Sequence, residues 1–228
     1  MQRKIFFTLF CLIFLFNQNL FSAPCYGPRL PEEKKFIVGL QSHIVFKRYL
    51  EDSFGKIRSL QNFILLSWGL KDWFSLDLKG GSGYIKQHPL DKAEVDYAAS
   101  FAGGYGFRLR LYNQDNKKII LGFQHISVHP KSTNYDGKKN QAILDDWQGS
   151  LLFASDFKKI TPYLGLKYSR MDYIHKKDGN RKRKMSDLTK TLGLVLGIDL
   201  GIEKNTWINL ETQFLDTKAL AISINYNF

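Results

Sequence analysis

Ten stretches of this chain place large apolar side chains on every second residue, and no helical period of comparable length competes with them. The cleanest sets Leu192, Leu194, Leu196, Ile198, Leu200 and Ile202 against Gly193, Gly197, Asp199 and Gly201. Successive side chains of a strand leave on opposite faces, so this order describes a strand that is greasy on one side and small or polar on the other. In a soluble sandwich the greasy face would meet a second sheet. In a membrane barrel it meets lipid, and the polar face lines the lumen.

The connections between runs decide between these. Those at Leu70–Asp72, Asn113–Asn116, Asp156–Lys159 and Glu203–Thr206 are short, and those at Arg48–Ser59, Gly80–Asp96, Ser127–Asp146 and Arg170–Lys190 are long. The two kinds alternate, as the periplasmic turns and outer loops of a membrane barrel do. Aromatic residues near the short-turn ends (Trp68, Trp73, Tyr112, Tyr163, Trp207, Phe228) suit an interfacial belt, although parity turns Trp73, Tyr163 and Trp207 inward. The expected fold is all-β: a transmembrane antiparallel up-and-down barrel of about ten strands over residues 36–228, with eight strands as the alternative.

The chain ends Leu220-Ala221-Ile222-Ser223-Ile224-Asn225-Tyr226-Asn227-Phe228. This stretch resembles the C-terminal strand of Gram-negative outer-membrane β-barrel proteins, in which the last aromatic residues, here Tyr226 and Phe228, are read by the barrel assembly machinery. Ser67-Trp68-Gly69-Leu70-Lys71-Asp72-Trp73-Phe74-Ser75-Leu76 is similar to a strand-turn-strand segment of small barrels of that class. Ile160-Thr161-Pro162-Tyr163-Leu164-Gly165-Leu166-Lys167-Tyr168-Ser169 is similar to a strand of opacity-type barrels. The resemblance implies the architecture and no particular activity.

Residues 1–23 have the basic start, apolar run and small-residue end of a cleaved signal peptide, and residues 24–35 are expected to be a periplasmic lead-in. The expected place is therefore the bacterial outer membrane after export. Cys25 invites a lipoprotein reading, but the residues before it do not fit one. Cys11 leaves with the signal, so the mature chain has one cysteine and no internal disulfide. Loss of Arg3 and Lys4 takes the formal charge from +12 to +10.

The register places Lys47, Asp77, Lys79, Arg108, Arg110, Lys167, Asp199 and Glu211 inward. Two readings stay open: an ion-pair network that closes the lumen, or a narrow anion-preferring pore with Arg108, Arg110 and Lys167 as a basic ring. The most basic stretch carries Lys176, Lys177, Arg181, Lys182, Arg183 and Lys184 in an outer connection. Behind a signal peptide its expected anions are the phosphates of lipopolysaccharide rather than nucleic acid.

One constellation is chemical. Phe123-Gln124-His125-Ile126-Ser127 resembles the His-x-Ser segment of the lipid A 3-O-deacylase barrel, which implies an outer-leaflet lipid hydrolase with Ser127 as nucleophile and His125 as base. Against it, no Asn follows Ser127, and Lys139 stands where that family has Glu. A rearranged Asp136, Asp145 or Asp146 would have to supply the carboxylate. The omptin proteases also have ten strands, yet Asp145-Asp146 is an adjacent pair with no matching Asp-x-His. No metal-ligand cluster, phosphate loop or nucleotide fingerprint occurs, so no cofactor is expected. The expected function is structural, surface-interacting or narrow-pore, without enzymatic activity, and the hydrolase is the alternative. The oligomeric state is not legible.

Overall fold

The structure, a computed structural model, describes residues 26–90 and 92–228. The expected signal peptide over residues 1–23, with Cys11, and Cys25 beyond it, lie outside the described residues. Twelve strands follow one another: β1 (Phe36–Tyr49), β2 (Lys56–Lys71), β3 (Phe74–His88), β4 (Val95–Gln114), β5 (Lys117–Val128), β6 (Thr133–Tyr135), β7 (Lys138–Ser155), β8 (Ile160–Lys177), β9 (Asn180–Met185), β10 (Leu192–Gly201), β11 (Thr206–Phe214) and β12 (Thr217–Asn227). Ten of them close into an antiparallel barrel in the order β1-β2-β3-β4-β5-β7-β8-β10-β11-β12. The first and last strands form the seam, with Val38 opposite Tyr226 and Ile44 opposite Leu220. The short β6 and β9 pair with the far ends of β7 and β8.

Alternation does the work expected of it. Leu192, Leu164, Leu166, Ile64, Leu78, Ile222 and Ile224 stand exposed on the outside, while Gln41, Asp77, Gln124, Lys167, Asn209 and Ser223 are buried inside. Water does not tolerate an apolar girdle of this extent, and lipid does. At the short-turn end Phe36 stacks on Trp68 with ring centroids 6.0 Å apart. Tyr226 and Phe228 pack 4.8 Å apart, and the Phe228 amide donates to the Phe36 carbonyl. Trp73 is exposed in its turn, whereas Tyr163 and Trp207 do point into the lumen and are buried.

The four long connections prove to be mostly strand. The expected loop at Gly80–Asp96 shrinks to the residues between His88 and Val95, and β7 and β8 continue to Lys138 and Lys177. Beyond the girdle the pattern inverts: Ile57, Ile85, Val95, Tyr97, Val128, Leu144, Met171 and Tyr173 are buried inside the barrel, while Arg58, Lys86 and Asp96 lie outside. Water now bathes the outer face, so the apolar side chains turn inward.

Two bulges correct the parity read from sequence. Register slips between Val45 and Lys47, so Arg48 replaces Lys47 as the inward cation. A second slip opposite Gly83–Ile85 turns Tyr97 inward, away from the lipid-facing set that holds Phe101 and Tyr105.

Candidate functional site

The lumen is filled in three tiers. In the short-turn half, residues 26–30 of the expected periplasmic lead-in run inside the barrel, while Glu32, Lys34 and Lys35 stay exposed at its mouth. Arg108 Nη1 donates to the carbonyls of Tyr26, Gly27 and Arg29, and its Nε and Nη2 grip Asp77 at 2.9 and 2.7 Å. Arg29 Nε reaches Asp199 at 3.1 Å, and its guanidinium lies 5.0 Å from the Trp207 ring centroid. Lys79 sits 4.0 Å from the Tyr26 ring centroid and donates to Gln41. Leu30 packs with Ile120, Leu152, Ala154, Tyr163 and Val195. Strap residues 26–30 are drawn inward because the wall offers donors and carboxylates that, buried without them, would stand unpaired.

The middle tier is a hydrogen-bond network. Lys167 Nζ and Arg48 Nη1 converge on Asp216 Oδ2 at 2.8 and 2.7 Å, with all three side chains at most 1% exposed. Arg48 also donates to Thr217, to Ser186 and to the Ser169 carbonyl. Tyr163 donates to Glu211, and Asn209 donates to both Tyr163 and Asp199. Gln124, Gln148, Asp146 and Ser169 form a second chain of bonds. The third tier is the apolar cluster of Ile57, Ile85, Val95, Tyr97, Val128, Leu144, Met171 and Tyr173. Two cavities inside, beside Tyr26 and beside His43, hold about 10 Å³ each, about the room of a single water.

The candidate pore cations therefore do not face one another across open water. Arg108 and Lys167 each end on a carboxylate, and Arg110 is half-buried near the short-turn mouth. Asp77, Lys79, Asp199 and Glu211 are buried in the same packing. Arg48 and Asp216, the middle of the network, escaped sequence reasoning: a bulge turns Arg48 inward, and Asp216 lies in the two-residue turn between β11 and β12.

The basic stretch is a hairpin rather than a loop. β8 and β9 turn at Asp178-Gly179, both with positive φ, as a two-residue hairpin requires. A matching turn at Asp136-Gly137 joins β6 to β7. The four strands form one wall standing past the girdle. Arg183 pairs with Asp172 and Lys184 with Asp52, whereas Lys176 and Arg181 lie directly opposite one another. Lys176, Lys177, Arg181 and Lys182 have no acidic partner among the described residues.

At the outer edge of the girdle, His125 and Ser127 face outward on β5 as expected. Asp145 lies opposite Ser127 in the β5–β7 register without any rearrangement. The bonding differs from a catalytic relay: Ser127 donates to Asp145 and lies 2.7 Å from His129 Nε2, and no hydrogen bond joins it to His125. His125 packs against Trp147 with ring centroids 4.1 Å apart and the planes tilted by 33°, and it approaches Asp145 only to 3.7 Å, beyond hydrogen-bond reach. Asp146 points into the lumen, away from Asp145, so the two are not a working carboxylate pair.

A closed ten-stranded wall with an apolar girdle outside and a polar network inside leaves one assignment. The chain is a β-barrel of the outer-membrane type. No protein-family model matches the sequence, and no curated protein sequence does. Among solved structures the barrel is similar to an outer membrane channel from Pseudomonas putida F1, at 9% identity and a TM-score of 0.45, over 91% of this chain and 100% of that one. It is also similar to the translocator domain of the autotransporter NalP from Neisseria meningitidis (10% identity, TM-score 0.46, 87% and 90% covered). A third likeness is to the outer membrane protease OmpT from Escherichia coli (11%, 0.37, 85% and 95%). The outer-membrane type follows from the barrel's own surface, apolar outside and polar within.

Proposed function

We propose that this barrel has no enzymatic activity, keeps its lumen shut, and acts through its outer wall by holding phosphate-bearing lipopolysaccharide. The observation that carries the reading is the filled lumen. With strap, ion network and apolar layer in series, no solute path remains, and the wall is the surface left to work. Strand parity turns Arg170, Lys176, Arg181 and Arg183 outward at headgroup height. Like charges directly opposite destabilise a strand pair, so an anion bridging Lys176 and Arg181 is stabilised by both.

A second reading, a gated pore, is favoured by one feature: three backbone carbonyls of the strap converge on a single side chain, Arg108, and no strand pairing ties residues 26–30 to the wall, so the strap is the separable part of the filling. Conductance of refolded protein in planar bilayers, with and without residues 26–30, separates the two. The closed reading expects silence from both, because the apolar tier remains. Steady current from the strap-less barrel replaces it with the gated pore. Retention of lipopolysaccharide should fall in a Lys176→Gln, Arg181→Gln variant and with rising salt; unchanged retention removes the anion from the proposal.

A further inference from the structure

The lipid-facing surface contains a polar row three strands wide within the apolar girdle. Ser42 on β1 lies opposite Asn62 on β2, and Asn62 lies opposite Ser82 on β3, so the three form one line across three strands. All three belong to the outward set, and Asn62 and Ser82 are exposed. The row is hemmed by grease: Ile222 flanks Ser42, Phe101 flanks Ser82, and Leu40 and Ile64, 60% and 61% exposed, stand just below. Its depth follows from the strands. Ser42 is six residues above the Phe36–Trp68 stack, and a strand crosses the hydrocarbon in about 9–11 residues, so the row lies past the midplane, inside the lipid.

Hydrocarbon offers these groups nothing. Ser42 donates to Asn62 Oδ1 at 2.7 Å, which leaves both N–H groups of the Asn62 amide and the Ser82 hydroxyl without a side-chain partner among the described residues. A polar group in lipid without a bond is costly, and membrane proteins place such groups where another protein surface meets them. Beside the row, Gly80 leaves open space with no heavy atom within 4 Å of where a Cβ would stand, within a surface hollow of about 540 Å³. Small residues of this kind let two backbones approach.

We infer that this face is the interface of a homodimer whose two-fold axis runs along the membrane normal past Asn62. A second copy is the occupant because the row is self-complementary. Its centre is an amide carrying both donor and acceptor, and a two-fold brings Asn62 to the Asn62 of the other copy at the same depth, where each amide donates to the other. A lipid tail cannot answer these donors. Two copies give a partner to an N–H of each Asn62 amide at once.

The test uses the mature barrel, refolded in vesicles with Cys25→Ser, which removes its one remaining cysteine. Under mild oxidation Asn62→Cys is expected to give a covalent dimer, and Leu166→Cys, lipid-exposed on the distant β8, is not. Asn62→Leu, an apolar substitution into lipid, is expected to stay folded by heat-modifiable gel mobility and to weaken self-association about fivefold or more in sedimentation. A monomeric wild-type barrel, cross-linking at residue 62 no faster than at 166, or undiminished dimer in Asn62→Leu overturns the inference. If Asn62→Leu does not fold, the cysteine pair still decides.

Discussion

Replacing Arg108 by alanine should release the strap and strand a charge in the same step. Asp77 is 1% exposed and receives two of the five guanidinium donors, so truncation leaves a buried carboxylate unpaired, at a cost of about 3–5 kcal/mol. The carbonyls of Tyr26, Gly27 and Arg29 lose their donor as well, adding roughly 1–3 kcal/mol. Removing residues 26–30 instead forfeits the burial of Leu30, about 2 kcal/mol, together with the Arg29–Asp199 pair and the same three bonds. Those bonds are counted in both single changes, so the double change should cost about 1–3 kcal/mol less than the sum. Denaturant unfolding of the four proteins in vesicles, followed by tryptophan fluorescence, measures the coupling. Additivity within about 0.5 kcal/mol would refute the claim that Arg108 is what holds the strap.

Asp216→Ala leaves Arg48 and Lys167 facing each other, both buried, and should destabilise more than Arg48→Met, which leaves Asp216 its lysine; unfolding midpoints rank the two. Gly197→Ala puts a Cβ 2.1 Å from the Tyr163 ring, and should cost about 1–3 kcal/mol as the ring moves off Glu211, whereas Gly149→Ala, which meets nothing within 4 Å, should be tolerated. In the outer connection, burial raises the Glu94 pKa, but the bond from Arg58 and the charges of Arg58, His88 and Lys86 outweigh it and leave it lowered. A depressed carboxyl pKa adds stability above its unfolded value that is lost as pH falls through the folded one. The stability advantage of wild type over Glu94→Gln should therefore be present at neutral pH and vanish in acid, and a constant difference across that range would contradict it.

The girdle was legible because lipid on one side and packed polar groups on the other impose a strict period of two, as in Leu192 through Ile202. Past the girdle that contrast reverses, and strands such as Lys138–Leu144 read as loop because their outer face is as polar as any connection. The Asp-Gly pairs at 136–137 and 178–179 were hairpin signals within reach of sequence reasoning, overshadowed by the charge around them. Arg48 was not within reach: a bulge leaves no mark in composition, and one slipped residue exchanges Lys47 for Arg48. The strap was invisible for another reason. Tyr26 to Leu30 carry no periodicity, and their place is set by Arg108, some eighty residues away.

The closure of the barrel has a temporal consequence. Arg48 meets Asp216 across 168 residues of sequence, Arg29 meets Asp199 across 170, and β1 meets β12 at the seam. Contacts so distant along the chain form late, once nearly every other strand is in place. Bonds absent from the folding transition state do little to hasten folding and much to slow escape from the finished structure. The buried charges of the lumen then act as a latch: indifferent to how fast the wall assembles, they set how long it stays shut.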